Sequence, residues 1–581
     1  MAMRRVMGAL VALFLAALAW VAVWVPFHAT DSLIYGRWSR LIGLEGGIHF
    51  DDQGIGSGYL HRPLVYVVQG WLWELFGFHE WIGRVWSYAF VLVLVYVVFR
   101  VASADRGAAV TGAIACVLLV ASPDVVAGGA AGLTDVPVAA MCGVVGLLVL
   151  VPGQRAPIAT ALLVVAFSAL AVLAKPSAPF ALLGVGLALL IGARDTLVWR
   201  LIWRGLPIVV GGAIALAYDL VQARHVGVPI NTFLAGGNGD PEAAGVTTFY
   251  QQLNAQSRSG FILAMEWLGP YLVLPLIFAL LYAVLRVANR THRLSATIAA
   301  PVALVLSYVL PALANSGVSG AVGPWDLDRP IAVLGTLALI VPLWLSRDCP
   351  EEDAPSRAHL ARMLLWALPP TVIWIANSPF QTRYLSPAWV PLYALVGVAL
   401  WTALRGLAVR RAVLGWAVVA IVVVLGLVNF RNLDGMGSKP DGSISAVTAV
   451  RALGVTGWFH QDEARRAADQ TLGELVDDAG AAMRGGGKLI SVDGRLPFYW
   501  PLRTTRDAPQ SCADLAGYRV LVVTESATGL DADREKTLSQ AELADATGGR
   551  AAQPSYWKRC PGVTQTAEQS GQFAVFRIAS S

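Results

Sequence analysis

Asp31 stands in TDSLIYGRW, just past the first membrane-length apolar run, and charged residues recur in the short polar pieces that separate later apolar runs. Asp51, Asp52, His61 and Arg62 lie in HFDDQGIGSGYLHRP. Asp135 follows Thr134 in GLTDVPVAAM, Lys175 interrupts LAKPSAPFALL, and Arg383 and Tyr384 occur in QTRYLSPAW. These residue types suit proton transfer and anion binding. A carboxylate beside an acceptor hydroxyl can take its proton. A cation at a membrane interface can hold a phosphate, and arginine can do so through two parallel hydrogen bonds. Each residue also has a plainer use. Thr30 or Asp31 could cap a following helix, as could Thr134 or Asp135 ahead of Pro137. Arg62, Lys175 and Arg383 could snorkel to headgroups or pair with Asp31 or Asp135. Asp51 and Asp52 fit a solvated loop as well as an acceptor or metal site, His61 fits a loop, and Tyr384 fits an interfacial anchor.

The elements that carry these residues are set by composition. The chain has 581 residues, of which 56% are hydrophobic and 14% charged, with 20 tryptophans. Soluble domains average about 25% charged, so this is the composition of a polytopic membrane protein. The net charge of +5 reads as loop Lys/Arg, because no basic block interleaves with aromatics as nucleic-acid binding requires. About thirteen apolar runs reach spanning length, near 6–27, 82–102, 108–127, 135–151, 157–174, 177–193, 205–223, 262–285, 295–313, 330–346, 363–378, 386–404 and 411–430. The first is expected to remain as an uncleaved span.

The loops give the orientation. With the N-terminus inside, every second loop carries arginine: Arg100 and Arg106, Arg155, Arg194 with Arg200 and Arg204, Arg286 to Arg293, Arg347 to Arg362, and Arg405 to Arg411. The opposite loops are longer and hold the acids. Asp31, Asp51, Asp52, Asp135, Lys175, Asp219, Glu266 and Arg383 then gather on the outer side, which suggests a polar cavity at the extracytoplasmic interface. In the first outer loop, apolar residues at helical spacing after Asp31, and again in PLVYVVQGWLWELFGF, predict two amphipathic helices lying on the membrane surface.

After about residue 430 the membrane-length runs stop. Helix-like ARRAADQTLGELVDDAGAAM alternates with strand-like KLISVDG, YRVLVVTES and QFAVFRIAS. The expected organisation is a transmembrane domain over 1–430 and a small extracytoplasmic α/β or α+β domain over 431–581. Of the five cysteines, Cys512 and Cys560 fall in that outer tail, where they would form a disulfide or stay as two thiols. No Cys-x-x-Cys and no His/carboxylate spacing argues for a dedicated metal site; no cofactor is certain, and a divalent metal stays open.

The ordered motifs resemble the GT-C membrane glycosyltransferases, in particular bacterial relatives of protein O-mannosyltransferases and of the lipid A aminoarabinose transferase. The matching pieces are the acid after the first span (TDSLIYGRW), the basic-Pro-Leu step (YLHRPLVYVVQGWLWELFG), the Thr-Asp opening the fourth span (GLTDVPVAAM), the Lys at a span break (LAKPSAPFALL) and the Arg-Tyr-Leu-x-Pro before a late span. They cover most of residues 1–405. The chain departs where relatives carry an acid-Glu pair or Lys-Pro-Pro, having Thr30-Asp31 and His61-Arg62-Pro63 instead.

The resemblance implies transfer of a sugar from a polyprenyl-phosphate carrier to an envelope acceptor at the outer face of a bacterial cytoplasmic membrane. It implies Asp31 as general base, Asp135 as a second active-site carboxylate, Arg62, Lys175, Arg383 and Tyr384 at the donor phosphate, and Asp51, Asp52 and His61 toward the acceptor. Two other readings stay open: a flippase or transporter of lipid-linked sugars, and a ligase or polymerase using a pyrophosphate carrier. A transporter would be expected to show internal repeats or mid-bilayer charge, neither of which is evident in the sequence.

Overall fold

The structure is a computed structural model. It describes scattered positions between 8 and 42, then 63–105, 109–120, scattered positions from 122 to 132, 134–151, 157–191, 196–226, 274–288, 290–315, Trp344, 354–377, 382–408, 488–491, 504–505, 518–523, 561–569 and 573–578. The chain divides into two compact units. The larger comprises Met1–Trp24, Tyr59–Val65 and Arg84–Leu433; the smaller comprises Val25–Gly58, Tyr66–Gly83 and Asp434–Ser581.

The described helices are α1 (Leu64–Phe76), α2 (Glu80–Ala102), α3 (Ala109–Val120), α4 (Asp135–Leu150), α5 (Pro157–Ala174), α6 (Ala178–Ala188) and α7 (Leu206–Val226). They continue with α8 (Leu274–Val287), α9 (His292–Asn315), α10 (Arg357–Asn377) and α11 (Trp389–Ala408). A short helix, Leu197–Arg200, and a π turn, Leu201–Gly205, lead into α7, and a 3-10 helix, Thr382–Ala388, leads into α11. Within the described residues, Trp81–Ala102, Pro157–Ala174, Leu197–Val221 and Leu385–Ala403 are long and apolar enough to cross a membrane. Their apolar side chains also face outward: Ile158, Leu162, Val209 and Val221 are exposed. A helix apolar on its outer face is unstable in water and natural in lipid. The chain is a mostly helical membrane protein.

The expected spans from 82–102 to 205–223, and those at 295–313, 363–378 and 386–404, overlap described helices, and 262–285 does so from 274 on, its first half lying outside the described residues. Those at 6–27, 330–346 and 411–430 lie wholly or mostly outside the described residues. In the larger unit α4 packs on α5 and α6, α6 on α10, α7 on α5, and α3 on α11. Without a hydrophobic drive between helices in lipid, such contacts depend on close approach at small residues. Trp366 of α10 is fully buried at the centre of one such contact. A Cβ at Gly146 of α4 would strike its ring, and one at Gly184 of α6 would strike its carbonyl oxygen. Glycine at these two positions lets α10 seat against α4 and α6.

The smaller unit contains two helical pieces from the first loop and a sheet. Gly36 and Trp38–Ile42 are helical, as is α1. The described parts of both expected first-loop helices are helical, and they pack on each other. Trp38, Leu41 and Ile42 are buried, and the Trp38 ring meets Tyr66 edge-on with centroids 5.4 Å apart. The Arg40 guanidinium lies 4.0 Å above the Phe78 ring. Trp71, Leu75 and Phe76 stay exposed.

The sheet has strands β1 (Lys488–Ser491), β2 (Thr504–Thr505), β3 (Tyr518–Val523), β4 (Val563–Gln569) and β5 (Phe573–Ile578), in the order β2-β1-β3-β5-β4. β1 runs parallel to β2 and β3, whereas β5 is antiparallel to β3 and β4. β1, β3 and β5 are the three strand-like segments of the sequence. The helix-like segment 464–483 lies outside the described residues.

Candidate active site

Asp135 begins α4 and Lys175 occupies the turn between α5 and α6. The structure joins them: Lys175 Nζ forms an ion pair with Asp135 Oδ1. The side chains are 12% and 4% exposed. Ser386 Oγ, in the 3-10 helix, donates to the same carboxylate oxygen at 3.4 Å, and Ser386 is fully buried.

Local chemistry explains each position. Asp135 lies in the first turn of an apolar helix, where the helix dipole favours negative charge. It is not there to close the helix end. Thr134 has helical torsions, φ −71° and ψ −12°, and makes no side-chain capping bond. The carboxylate instead reaches sideways to Lys175 and Ser386. Lys175 N still bonds to Ala171 O at 3.2 Å, continuing α5 by one residue. Pro176 cannot donate the next helical bond, so the chain turns. Ala178 N then bonds to Lys175 O at 3.2 Å, and α6 starts. The break at Ala-Lys-Pro thus presents one ammonium group at the level of the α4 N-terminus. The 3-10 helix packs against α4. Ala367, Trp374, Leu385, Ala388 and Leu392 form the apolar cluster that fixes it between α10 and α11.

An ion pair this buried is held by geometry more than by net attraction. Removing two charges from water costs several kcal/mol each, roughly, and the pair persists because each partner would be worse alone. Such a pair can also change partners: an incoming anion can share the ammonium, and the carboxylate keeps that ammonium in place.

The sequence candidates divide as follows. Asp135 and Lys175 are brought together, so the pairing alternative for Lys175 is realised with Asp135. Arg383 and Tyr384 belong to the 3-10 helix by backbone, three and two residues before Ser386. At three residues per turn this is within one turn of the Asp135 contact. Asp31, Asp51, Asp52, His61, Arg62, Cys512 and Cys560 lie outside the described residues. Among the described residues no group of three or more His, Cys, Asp or Glu gathers as a metal site. Ser386 was not among the sequence candidates. It sits inside the Arg-Tyr-Leu-Ser-Pro motif, and its only signal is a lone hydroxyl in an apolar surround.

The helical architecture that carries this cluster is similar to that of solved structures. The crystal structure of ArnT from Cupriavidus metallidurans bound to undecaprenyl phosphate aligns with 99% of this chain and 98% of its own, at TM-score 0.55 and 17% identity. The apo form of the same ArnT aligns with 98% and 97%, at TM-score 0.53 and 17% identity. The archaeal oligosaccharyltransferase AglB from Archaeoglobus fulgidus, in complex with an inhibitory peptide and a dolichol-phosphate, aligns with 98% of this chain and 74% of its own, at TM-score 0.44 and 12% identity. No protein-family model and no curated protein matches the sequence.

Proposed function

We propose that this chain is a glycosyltransferase that moves a sugar from a polyprenyl-phosphate carrier to an envelope acceptor, at the outer face of a bacterial cytoplasmic membrane. The observation that carries the reading is the buried Asp135–Lys175–Ser386 cluster at the start of α4, in a fold shared with a protein that binds undecaprenyl phosphate. In this reading residues 1–430 are the transmembrane catalytic domain, with the N-terminus inside, and 431–581 are an extracytoplasmic domain.

The roles follow from the chemistry. The donor is a phosphodiester whose sugar–oxygen bond breaks with both electrons going to the phosphate. The acceptor oxygen forms the new bond at the anomeric carbon, and its proton passes to the Asp31 carboxylate. Phosphate is a good leaving group, so no strong general acid is needed. Its developing second charge is met by Lys175, with Arg62 and Arg383 as further cations and Tyr384 as a hydroxyl donor. Asp135 and Ser386 hold Lys175 in place, Asp135 acting as a positioning residue. Acceptor binding is assigned to Asp51, Asp52 and His61.

The test uses a host lacking this protein, restored with wild type or with Asp31→Asn at equal membrane expression. Loss of a general base costs about 10²–10⁴-fold in rate. The Asp31→Asn strain is therefore expected to accumulate one carrier-linked sugar and to lack one glycan decoration by mass spectrometry. Unchanged pools would overturn the assignment.

A further inference from the structure

We propose that Arg200, Arg204 and Arg362 form a second anion site, for the phosphate of an anionic phospholipid headgroup, at the ends of α4 and α6 remote from Asp135. The proposal goes beyond the transfer reaction and does not depend on it. Three guanidinium groups converge on two adjoining helix C-termini. Arg200 Nη1 donates to Leu189 O, and Arg362 Nε donates to Ile191 O at 2.8 Å. Both carbonyls belong to the single turn that closes α6. Arg204 Nη1 donates to Val149 O, in the last turn of α4, at 3.1 Å.

Among the described residues, positive charge predominates at this point. A helix C-terminus carries about half a negative charge, so two such ends meet three full positive charges. Arg200 is only 8% exposed, and its buried Nε has no hydrogen-bond partner. Arg362 is held below the ordinary arginine range by burial first, then by Arg200 and Arg204. The carboxylate of Asp105, which reaches the start of α10, accepts from Ser356 N at 2.6 Å. An anion placed among the three guanidiniums would satisfy the orphaned donor and relieve the mutual repulsion.

The surroundings point to a lipid as the source of that anion. The same short stretch turns Leu197, Val198, Trp199, Leu201 and Ile202 outward, all exposed and apolar. The rings of Trp199 and Trp203 lie 5.4 Å apart. Tryptophan concentrates at the headgroup level of a bilayer, and basic pockets between membrane helices take anionic headgroups. A freely soluble phosphate would have no use for this apolar rim. The π turn Leu201–Gly205 follows Arg200 and contains Arg204. Arg200 reaches the end of α6 and Arg204 the end of α4. Such turns occur often at functional sites.

The experiment is native mass spectrometry of the purified full-length protein in detergent, titrated with phosphatidylglycerol, phosphatidylcholine or inorganic phosphate. Wild type is expected to retain phosphatidylglycerol at least tenfold better than phosphatidylcholine, and the Arg200→Gln/Arg362→Gln protein to lose that preference. Millimolar inorganic phosphate should not displace the lipid; displacement would make the site a soluble-anion site and overturn the lipid assignment. A folded double variant with unchanged preference would also overturn it. A second measurement needs no variant. A photoactivatable phosphatidylglycerol should label the peptide spanning 196–206 in wild type, and a matching phosphatidylcholine should not. Equal labelling by both probes, or none, rejects the proposal.

Discussion

The two ends of α4 handle charge in opposite ways. At its start, a carboxylate meets an ammonium and a hydroxyl, and the charges cancel within one contact. At its end, Arg204 caps a carbonyl and two further arginines cap the neighbouring helix. A charge cancelled by an opposite charge can be exchanged for a substrate's charge. A charge held by main-chain dipoles stays net positive whatever happens elsewhere. The first arrangement suits turnover and the second suits a permanent anchor.

The contrast is sharpest if each end is cut. Lys175→Ala leaves a buried carboxylate unpaired, which costs about 3–5 kcal/mol and should lower the thermal unfolding midpoint of purified protein more than any other change here. Adding Asp135→Leu should restore much of that stability while leaving transfer defective. Failure of the double variant to recover would mean the pair is not a mutual compensation. Arg362→Ala removes a charged donor from a carbonyl, worth about 1.5–3 kcal/mol. Its effect should be smaller than that of Lys175→Ala, because what remains is a dipole and not a charge. An equal or larger effect would break the comparison.

Ser386→Ala should cost about 0.5–1.5 kcal/mol, since the carboxylate keeps Lys175. The smallest effect is a pH dependence at the arginine end. Burial holds His359 below its ordinary 6.5, with Asp105 raising it and Arg362 lowering it. The unfolded chain therefore binds the proton first as pH falls. The stability that depends on neutral His359 is complete above about 6.5 and declines below it. The unfolding midpoint should drop between pH 7.5 and 5.5, and by less in His359→Asn.

Much of this was legible in the sequence because lipid imposes a plain code. Apolar runs of spanning length predict most of the described helices, and the Ala-Lys-Pro break places Lys175 in its turn. Three features were hidden for physical reasons. The stretch 197–205 reads as a loop because Arg200 and Arg204 are charged; it is helical because their long side chains reach carbonyls of other helices. Ser386 carries no charge to betray it. β4, with the sequence VTQTAEQ, lacks the apolar alternation of its neighbours, since an edge strand needs only one paired side. The first-loop helices were visible by periodicity, but their packing on each other depends on Trp38 meeting Tyr66, which no periodicity encodes.

The π turn at Leu201–Gly205 also sets phase. Asp219 follows Arg200 by nineteen residues, and both are buried. In an unbroken α-helix nineteen residues make about 5.3 turns, putting the two roughly 100° apart around the axis. A turn that absorbs one extra residue leaves eighteen, which is five whole turns. The local widening therefore works as a rotary offset. It returns a buried cation at one end and a buried carboxylate at the other to the same meridian of a single rod. Converting 201–205 to regular α-helix with every residue kept would swing everything beyond it by about a quarter turn and carry Asp219 toward the lipid.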